Sequence, residues 1–219
     1  SEGYVDLDLD GLAENTAPAD SDFLAIQTGT ADPKKVLLSK VRGGYGTLWV
    51  PAAAMVPSET SGATSTAKEY GTNDMTHDVM VFAGTGADTY AEFDVVMPEA
   101  WDRSTIKAKI YWSAGGDANA DEYVGFYLAA GARGNDDALD AAVGTYVLLA
   151  DQLIADDDLH TTAASAAITV GGTPALGDLV HFKLRRDYDY DGGGTAMDVA
   201  ANVLGVLIQY QKTEAVAAW

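Results

Sequence analysis

"TIKAKIYWSA", residues Thr105–Ala114, alternates apolar and polar positions. Ile106, Ala108, Ile110 and Trp112 fall on one face, and Lys107, Lys109 and Tyr111 on the other. Successive side chains of an extended strand point to opposite faces, so a period of two marks a half-buried β-strand. The same reading extends outward along the chain. "TYAEFDVVMP" places Ala91, Phe93, Val95 and Met97 together, and "DLVHFKLRR" sets Val180, Phe182 and Leu184 against His181, Lys183 and Arg185. "EYVGFYLAAGA", "TYVLLADQLIA", "SAAITV" and "NVLGVLIQYQ" alternate or form short apolar runs, and Gly- and Asp-rich turns such as "GARGNDD" and "VGGTPALGD" separate them. One segment, Asn135–Gly144, reads as a helical turn, with acids at its start and glycine at its end. Many strands, glycine-rich turns and few helices predict an all-β fold, a β-sandwich of jelly-roll type.

Residues 1–42 differ from this body. They are acidic, and "DFLAIQT" and "KKVLLSKV" read as two short strands joined by turn-forming "GTADP". A lone hairpin is marginal in water, so this arm needs a partner: its own body, another copy or a scaffold. Arg42–Gly46, "RGGYG", reads as a hinge into a body spanning residues 43–219.

The chain of 219 residues carries a formal net charge of -20 and no cysteine. Such a surface repels phosphate backbones and anionic membranes, which argues against nucleic-acid binding and membrane docking. No apolar run approaches a membrane span, and no signal-peptide pattern opens the sequence. Without cysteine there are no disulfides, thiolate metal sites or thiol nucleophiles. Hydrolase and phosphate-loop signatures are absent, and "AGTGADT" lacks the third glycine and the basic partner a phosphate loop needs. His77, His160 and His181 are scattered. The first two read as solvated turn residues and the third as a surface strand residue. Trp49, Trp101 and Trp112 sit amid apolar neighbours and read as core or inter-subunit packing.

Five stretches, "LWVPAAAMVPSETSGA", "MPEAWDRSTIKAKIYWSA", "NDDALDAAVGTYVLLAD", "ITVGGTPALGDLVHFKLRRD" and "AANVLGVLIQY", occur in an order that resembles a domain of tailed-bacteriophage and gene-transfer-particle virion proteins. They span Leu48 to Tyr210, and the arm resembles a phage appendage module. The resemblance implies a β-sandwich on a virion appendage, a tail or head fibre, built as a homotrimer and attached to other virion proteins through residues 1–42. It implies no catalytic site. A decoration protein without a receptor role is the alternative, and a polysaccharide-degrading appendage is disfavoured because no β-helix repeat is present. On the virion, the body would recognise a host surface glycan. Sugar sites stack aromatic faces on sugar rings. The outward candidates are Tyr111, Tyr123 and Tyr127, which could instead cover the sheet or fill a trimer interface.

The acidic stretch "RRDYDYDGGGTAMD", Arg185–Asp198, has two readings. Asp187, Asp189 and Asp191 alternate and are followed by Gly192, as at the opening of an EF-hand loop, and Asp198 falls at the closing position. These four would be Ca²⁺ ligands. Alternatively the stretch is an acidic strand end: same-face neighbours ~7 Å apart repel by only ~0.6 kcal/mol in water, so no cation is required. No other cofactor is expected. If the loop binds calcium, chelation lowers the melting temperature and millimolar Ca²⁺ restores it. A melting temperature that ignores both leaves the strand-end reading.

Overall fold

The structure is a computed structural model, and it describes residues 23–26, 34–37, 44–116 and 118–213. The chain divides into two compact units, Ser1–Gly43 and Gly44–Trp219. In the first, β1 (Phe23–Ile26) pairs antiparallel with β2 (Lys34–Leu37), from Phe23 opposite Leu37 to Ile26 opposite Lys34. The rest of residues 1–43, including the acidic residues 1–22, lies outside the described residues.

The second unit contains β3 (Tyr45–Pro51), a 3-10 turn (Ala52–Ala54), β4 (Val56–Pro57), β5 (Thr64–Tyr70), β6 (Met75–Phe82), β7 (Thr89–Val96) and β8 (Trp101–Ala114). After these come β9 (Glu122–Arg133), β10 (Val147–Gln152), β11 (His160–Thr161), β12 (Leu179–Asp187), β13 (Thr195–Ala196) and β14 (Ala201–Lys212). They form a β-sandwich. The first sheet runs β10-β9-β12-β7-β4, with β13 on β9; the second runs β11-β8-β14-β6-β5, with β3 on β14. All named pairings are antiparallel except β13 with β9.

The alternation read from the sequence is what closes the sandwich. Ile106, Ala108, Ile110 and Trp112 of β8 face Val124, Phe126 and Leu128 of β9 and Val180, Phe182 and Leu184 of β12 in one buried cluster. Phe93 and Phe182 stack with centroids 4.8 Å apart, and Phe82 meets Phe126 edge-on at 5.9 Å. Each such ring contributes about 1.5–3 kcal/mol by leaving water. β14 is the spine of the second sheet. It pairs with β8 along its length, while β6 takes Ala201–Val203 and β3 takes Gly205–Gln211 on the other edge. The register against β8 shifts between Val203 and Gly205, at the point where the edge passes from one partner to the other.

Three expectations need correction. Asn135–Gly144 is not helical but a turn followed by extended chain. Asp136 adopts φ 67°, and the Arg133 guanidinium donates to the carbonyls of Leu139 and Ala141, which leaves those groups unavailable to a helix. "SAAITV" forms only a bridge, Ile106 opposite Ile168, because Thr162 and Ser165 spend their hydroxyls on the backbone N–H groups of Ile110 and Ala108. The hinge at Arg42–Gly46 is partly strand: β3 starts at Tyr45, and Gly46 lies under the Tyr210 ring, where a Cβ would come within 2.3 Å of it.

Arg186 is the inward residue that follows Leu184 on β12, and it is 1% exposed. Its Nη1 donates to the carbonyls of Phe82 (3.1 Å) and Val199 (2.7 Å), and its Nη2 to that of Met197 (2.6 Å). Burial lowers its pKa to about 10, while the negative charge of Asp198 acts in the opposite direction. The substitution Arg186→Met keeps the side chain's length but removes the donors to three carbonyls. It should lower stability by about 3 kcal/mol in urea unfolding. Arg185→Met, on the opposite face, should cost about 1 kcal/mol or less.

Candidate functional site

Since Val180, Phe182, Leu184 and Arg186 point inward, His181, Lys183 and Arg185 stand on the outer face of the first sheet. The register sets them in rows between β7 and β9. Arg185 lies between Tyr90 and Tyr127, Lys183 between Glu92 and Ala129, and His181 between Asp94 and Gly131. The small residues Ala129 and Gly131 let another segment lie against β9. That segment is Leu139–Gly144, held by Arg133 and by the Gly144 N–H donating to the Ala130 carbonyl at 2.8 Å.

Between this wall and the β7–β12 side chains lies a groove of about 610 Å³. Glu92, Lys183, His181 and Tyr146 line it, and Leu139, 79% exposed, stands at its wall. Glu92 organises the floor. It accepts from Ser58 Oγ at 2.7 Å, pairs with Lys183 Nζ at 2.9 Å, and lies 3.4 Å from His181 Nε2. His181 Nδ1 is 2.9 Å from Asp94 Oδ1, which places the imidazole between two carboxylates. Burial pushes the Glu92 carboxyl up, but the hydrogen bonds from Ser58 and Lys183 outweigh it and hold the group below its ordinary range. The Glu92 hydrogen bond raises Lys183 against the opposing effect of burial. Burial also raises the Tyr146 hydroxyl. Arg185 extends the surface: its guanidinium lies 4.3 Å above the Tyr127 ring and 5.7 Å from that of Tyr146, and pairs with Asp88 at 2.9 Å. Arranged in this way, the groove can present fixed donors, fixed acceptors and ring faces to a polar ligand.

Tyr111, Tyr123 and Tyr127 do not share a site. Only Tyr127 belongs to this surface, beneath Arg185. Tyr123 is covered by the acidic loop: a Cβ at Gly192 would lie 2.3 Å from its ring, and Gly194 packs there too. Tyr111 stands on the second sheet, edge-on to Trp49 at 5.1 Å. Trp101 and Trp112 are buried as expected, but Trp49 is 44% exposed.

Two of the four aspartates of the acidic loop, Asp187 and Asp189, interact with each other, and Asp191 and Asp198 have different partners. Asp187 lies 3.8 Å from Arg185 Nη2, and its carboxyl is raised by burial, then by a hydrogen bond shared with Asp189 and by the charge of Asp88. Asp191 accepts from the Gly193 N–H at 3.0 Å, a turn that needs the positive φ of Gly192 and Gly193. Asp198 acts on Arg186. Among the described residues, no three His, Asp or Glu side chains are grouped to hold a metal ion. β12 ends at Asp187 and Tyr188–Asp189 form a turn, so the strand alternation does not continue to Asp191.

Two histidines differ from expectation. His160 is buried, 4.8 Å from the Trp112 ring, with Nε2 bonded to the Ala155 carbonyl at 2.9 Å. His77 lies within β6, edge-on to Tyr70 at 5.8 Å. β11 is buried by pairing with β8, which is remote in sequence, whereas β6 pairs with the neighbouring β5, where His77 lies opposite Lys68. Glu92, His181 and Lys183 could have been found from the outward positions of β7 and β12. Tyr146 lies in the strand-like stretch "TYVLLADQLIA", but nothing local to it shows that it meets the outward residues of β7 and β12.

The chain matches no protein-family model and no curated protein sequence. Similar solved structures include a xylan-binding module, at 12% identity and TM-score 0.43, covering 78% of this chain and 99% of that one. A family 11 carbohydrate-binding module from Clostridium thermocellum, in complex with a β-1,3-1,4-mixed-linked tetrasaccharide, is 12% identical with TM-score 0.39, covering 74% of this chain and 95% of that one. The enzymatically active domain of a tailspike protein of bacteriophage CBA120 is 8% identical with TM-score 0.32, covering 74% of this chain and 19% of that one.

The Glu92–Lys183 pair makes a pH-dependent contribution. A carboxyl depressed in the folded state stabilises the fold above its unfolded value of 4.5, and that stabilisation is lost as pH falls through the lower folded value. Near neutral pH, Glu92→Gln should melt about 2 °C below the native protein, the pair being half-exposed. The difference should shrink toward zero in acid.

Proposed function

We propose that this chain is a non-enzymatic, glycan-binding subunit of a phage or phage-like virion, a fibre or spike protein. Its body holds a host surface glycan in the groove over β7 and β12. The observation that supports this reading is the groove itself. Its polar groups are held by one another: Glu92 by Ser58 and Lys183, and His181 by Glu92 and Asp94. The wall is pinned through Arg133. A sugar needs such an arrangement, because its hydroxyls reward donors and acceptors already fixed in place and its apolar ring face rewards an aromatic neighbour. Tyr146 supplies that neighbour beside Lys183 and Glu92. No nucleophile–base pair is required for this role.

The virion assignment rests on the resemblance of Leu48–Tyr210 and of the arm to phage appendage proteins. In this reading residues 1–42 join the body to other virion proteins, and the body assembles as a homotrimer. Multivalent display would raise the avidity of a weak sugar site by orders of magnitude.

The test is a glycan array of bacterial surface polysaccharides probed with native protein and two variants, Lys183→Ala and Tyr146→Ala. The native protein should be retained by a defined set of glycans, and each variant should lose about tenfold or more in affinity, with Lys183→Ala melting only about 2 °C below the native protein because it breaks the pair with Glu92. An array that retains nothing would leave the body as a decoration protein without a receptor role.

A further inference from the structure

The second sheet carries a surface the groove does not use. Tyr45, Thr47 and Trp49 stand on the outer face of β3, opposite Gln211, Gln209 and Leu207 of β14. Lys107 and Lys109 of β8 continue those rows beyond β14. Trp49 is held flat: its ring sits directly over Gly205, where a Cβ would come within 2.4 Å, and its flank meets Tyr111 at 88°. With one face covered and an edge engaged, the ring still keeps 44% exposure, so its other face is open. Tyr45, 66% exposed, lies four residues along the same strand face, ~13 Å away at ~3.3 Å per residue. Between Tyr45, Lys107, Gln209 and Thr105 lies a shallow trough of about 150 Å³.

Charge identifies the occupant. The chain has a formal net charge of -20. Yet the segments that build this face, residues 45–51, 105–111 and 205–211, contain no Asp or Glu. Neither Lys107 nor Lys109 pairs with a carboxylate among the described residues. Two unpaired ammonium groups beside an open indole face, on an otherwise acidic molecule, complement a ligand that combines an apolar ring face with a negative charge. At physiological salt the Debye length is about 8 Å, so remote carboxylates are screened while a lysine touching the ligand is not.

We propose that this face is a second glycan site, specific for anionic polysaccharide whose sugars carry carboxylates. One sugar ring stacks on Trp49 and a later one on Tyr45. The ring carboxylates take the ammonium groups of Lys107 and Lys109, and hydroxyls take Thr47 and Gln209. The site extends the glycan-binding reading to a face opposite the groove, and it makes each body bivalent.

Affinity electrophoresis of the full chain in gels containing polygalacturonate, alginate or hyaluronan, with dextran as the neutral control, tests it. At least one uronate polymer should retard the protein, dextran should not, and added NaCl should relieve the retardation. Trp49→Ala and the double variant Lys107→Gln/Lys109→Gln should each weaken binding about tenfold. Tyr45→Ala, at an exposed strand end, provides a second variant should Trp49→Ala alter the fold by near-ultraviolet circular dichroism. Retardation that survives in Lys183→Ala protein, where array binding is lost, separates this face from the groove. Array binding without uronate retardation overturns this proposal and leaves the groove reading intact. Retardation indifferent to Trp49 and the two lysines also overturns it. So does a change of solution mass in the Trp49→Ala variant by light scattering, which would assign the face to a second copy of the chain.

Discussion

The buried guanidinium of Arg186 is the constraint on which the arrangement of this molecule depends. It projects from β12 of the first sheet and donates to Phe82 at the end of β6 in the second sheet. It also donates to Met197 and Val199, on the connection that carries the chain from β13 across to β14. One side chain therefore satisfies carbonyls of both layers where the chain changes layer. Carbonyl groups buried at such a crossing need donors, and a side chain with several N–H groups in a fixed fork supplies them together. The charge is costly to bury, and the depressed pKa of Arg186 expresses that cost. The three hydrogen bonds, with Asp198 nearby, offset it.

The position of Arg186 also sets the register of the outer face. A one-residue slip of β12 would carry every side chain to the opposite side of the sheet. With Arg186 inward, Arg185, Lys183 and His181 stand outward, each opposite a specific β7 partner: Tyr90, Glu92 and Asp94. Arg133 has the corresponding role for the wall. It takes the carbonyls of Leu139 and Ala141 and holds that segment against Ala129 and Gly131. Two arginines, one within the core and one at the end of β9, thus give the groove a fixed floor and a fixed side. A site held in this way loses little conformational freedom on binding, so more of the contact energy appears as affinity.

The sandwich was legible in the alternation of β7, β8 and β12, since burying one face of each strand dictates a period of two. β5, "TSTAKEY", was not. It is an edge strand whose outer residues are mostly exposed, and no apolar stripe announces it. Asn135–Gly144 looked helical because its local pattern is helix-like. The competing interaction, Arg133 with two carbonyls, is tertiary and invisible to a local pattern. The site was legible only in part. Tyr111, Tyr123 and Tyr127 are all outward in their own strands, as alternation predicts. Alternation does not say which sheet a strand joins, and the sandwich puts Tyr111 on the opposite face from the other two. Nor does it show that Gly192 and Gly194 fold back over Tyr123. His160 shows the same limit: its acidic neighbours suggested solvent, but pairing of β11 with Trp112 on β8 buries it.

The central claim is that a glycan sits in the groove whose floor is Glu92, His181 and Lys183. Chemical-shift mapping of isotopically labelled protein, titrated with a glycan that it retains on the array, tests this most directly. The account predicts that the perturbed amides cluster at residues 139–146, at 181–185 and at Glu92, with the buried residues of β8 unmoved. Perturbations confined to other surfaces, with the groove amides unchanged at saturation, would contradict it.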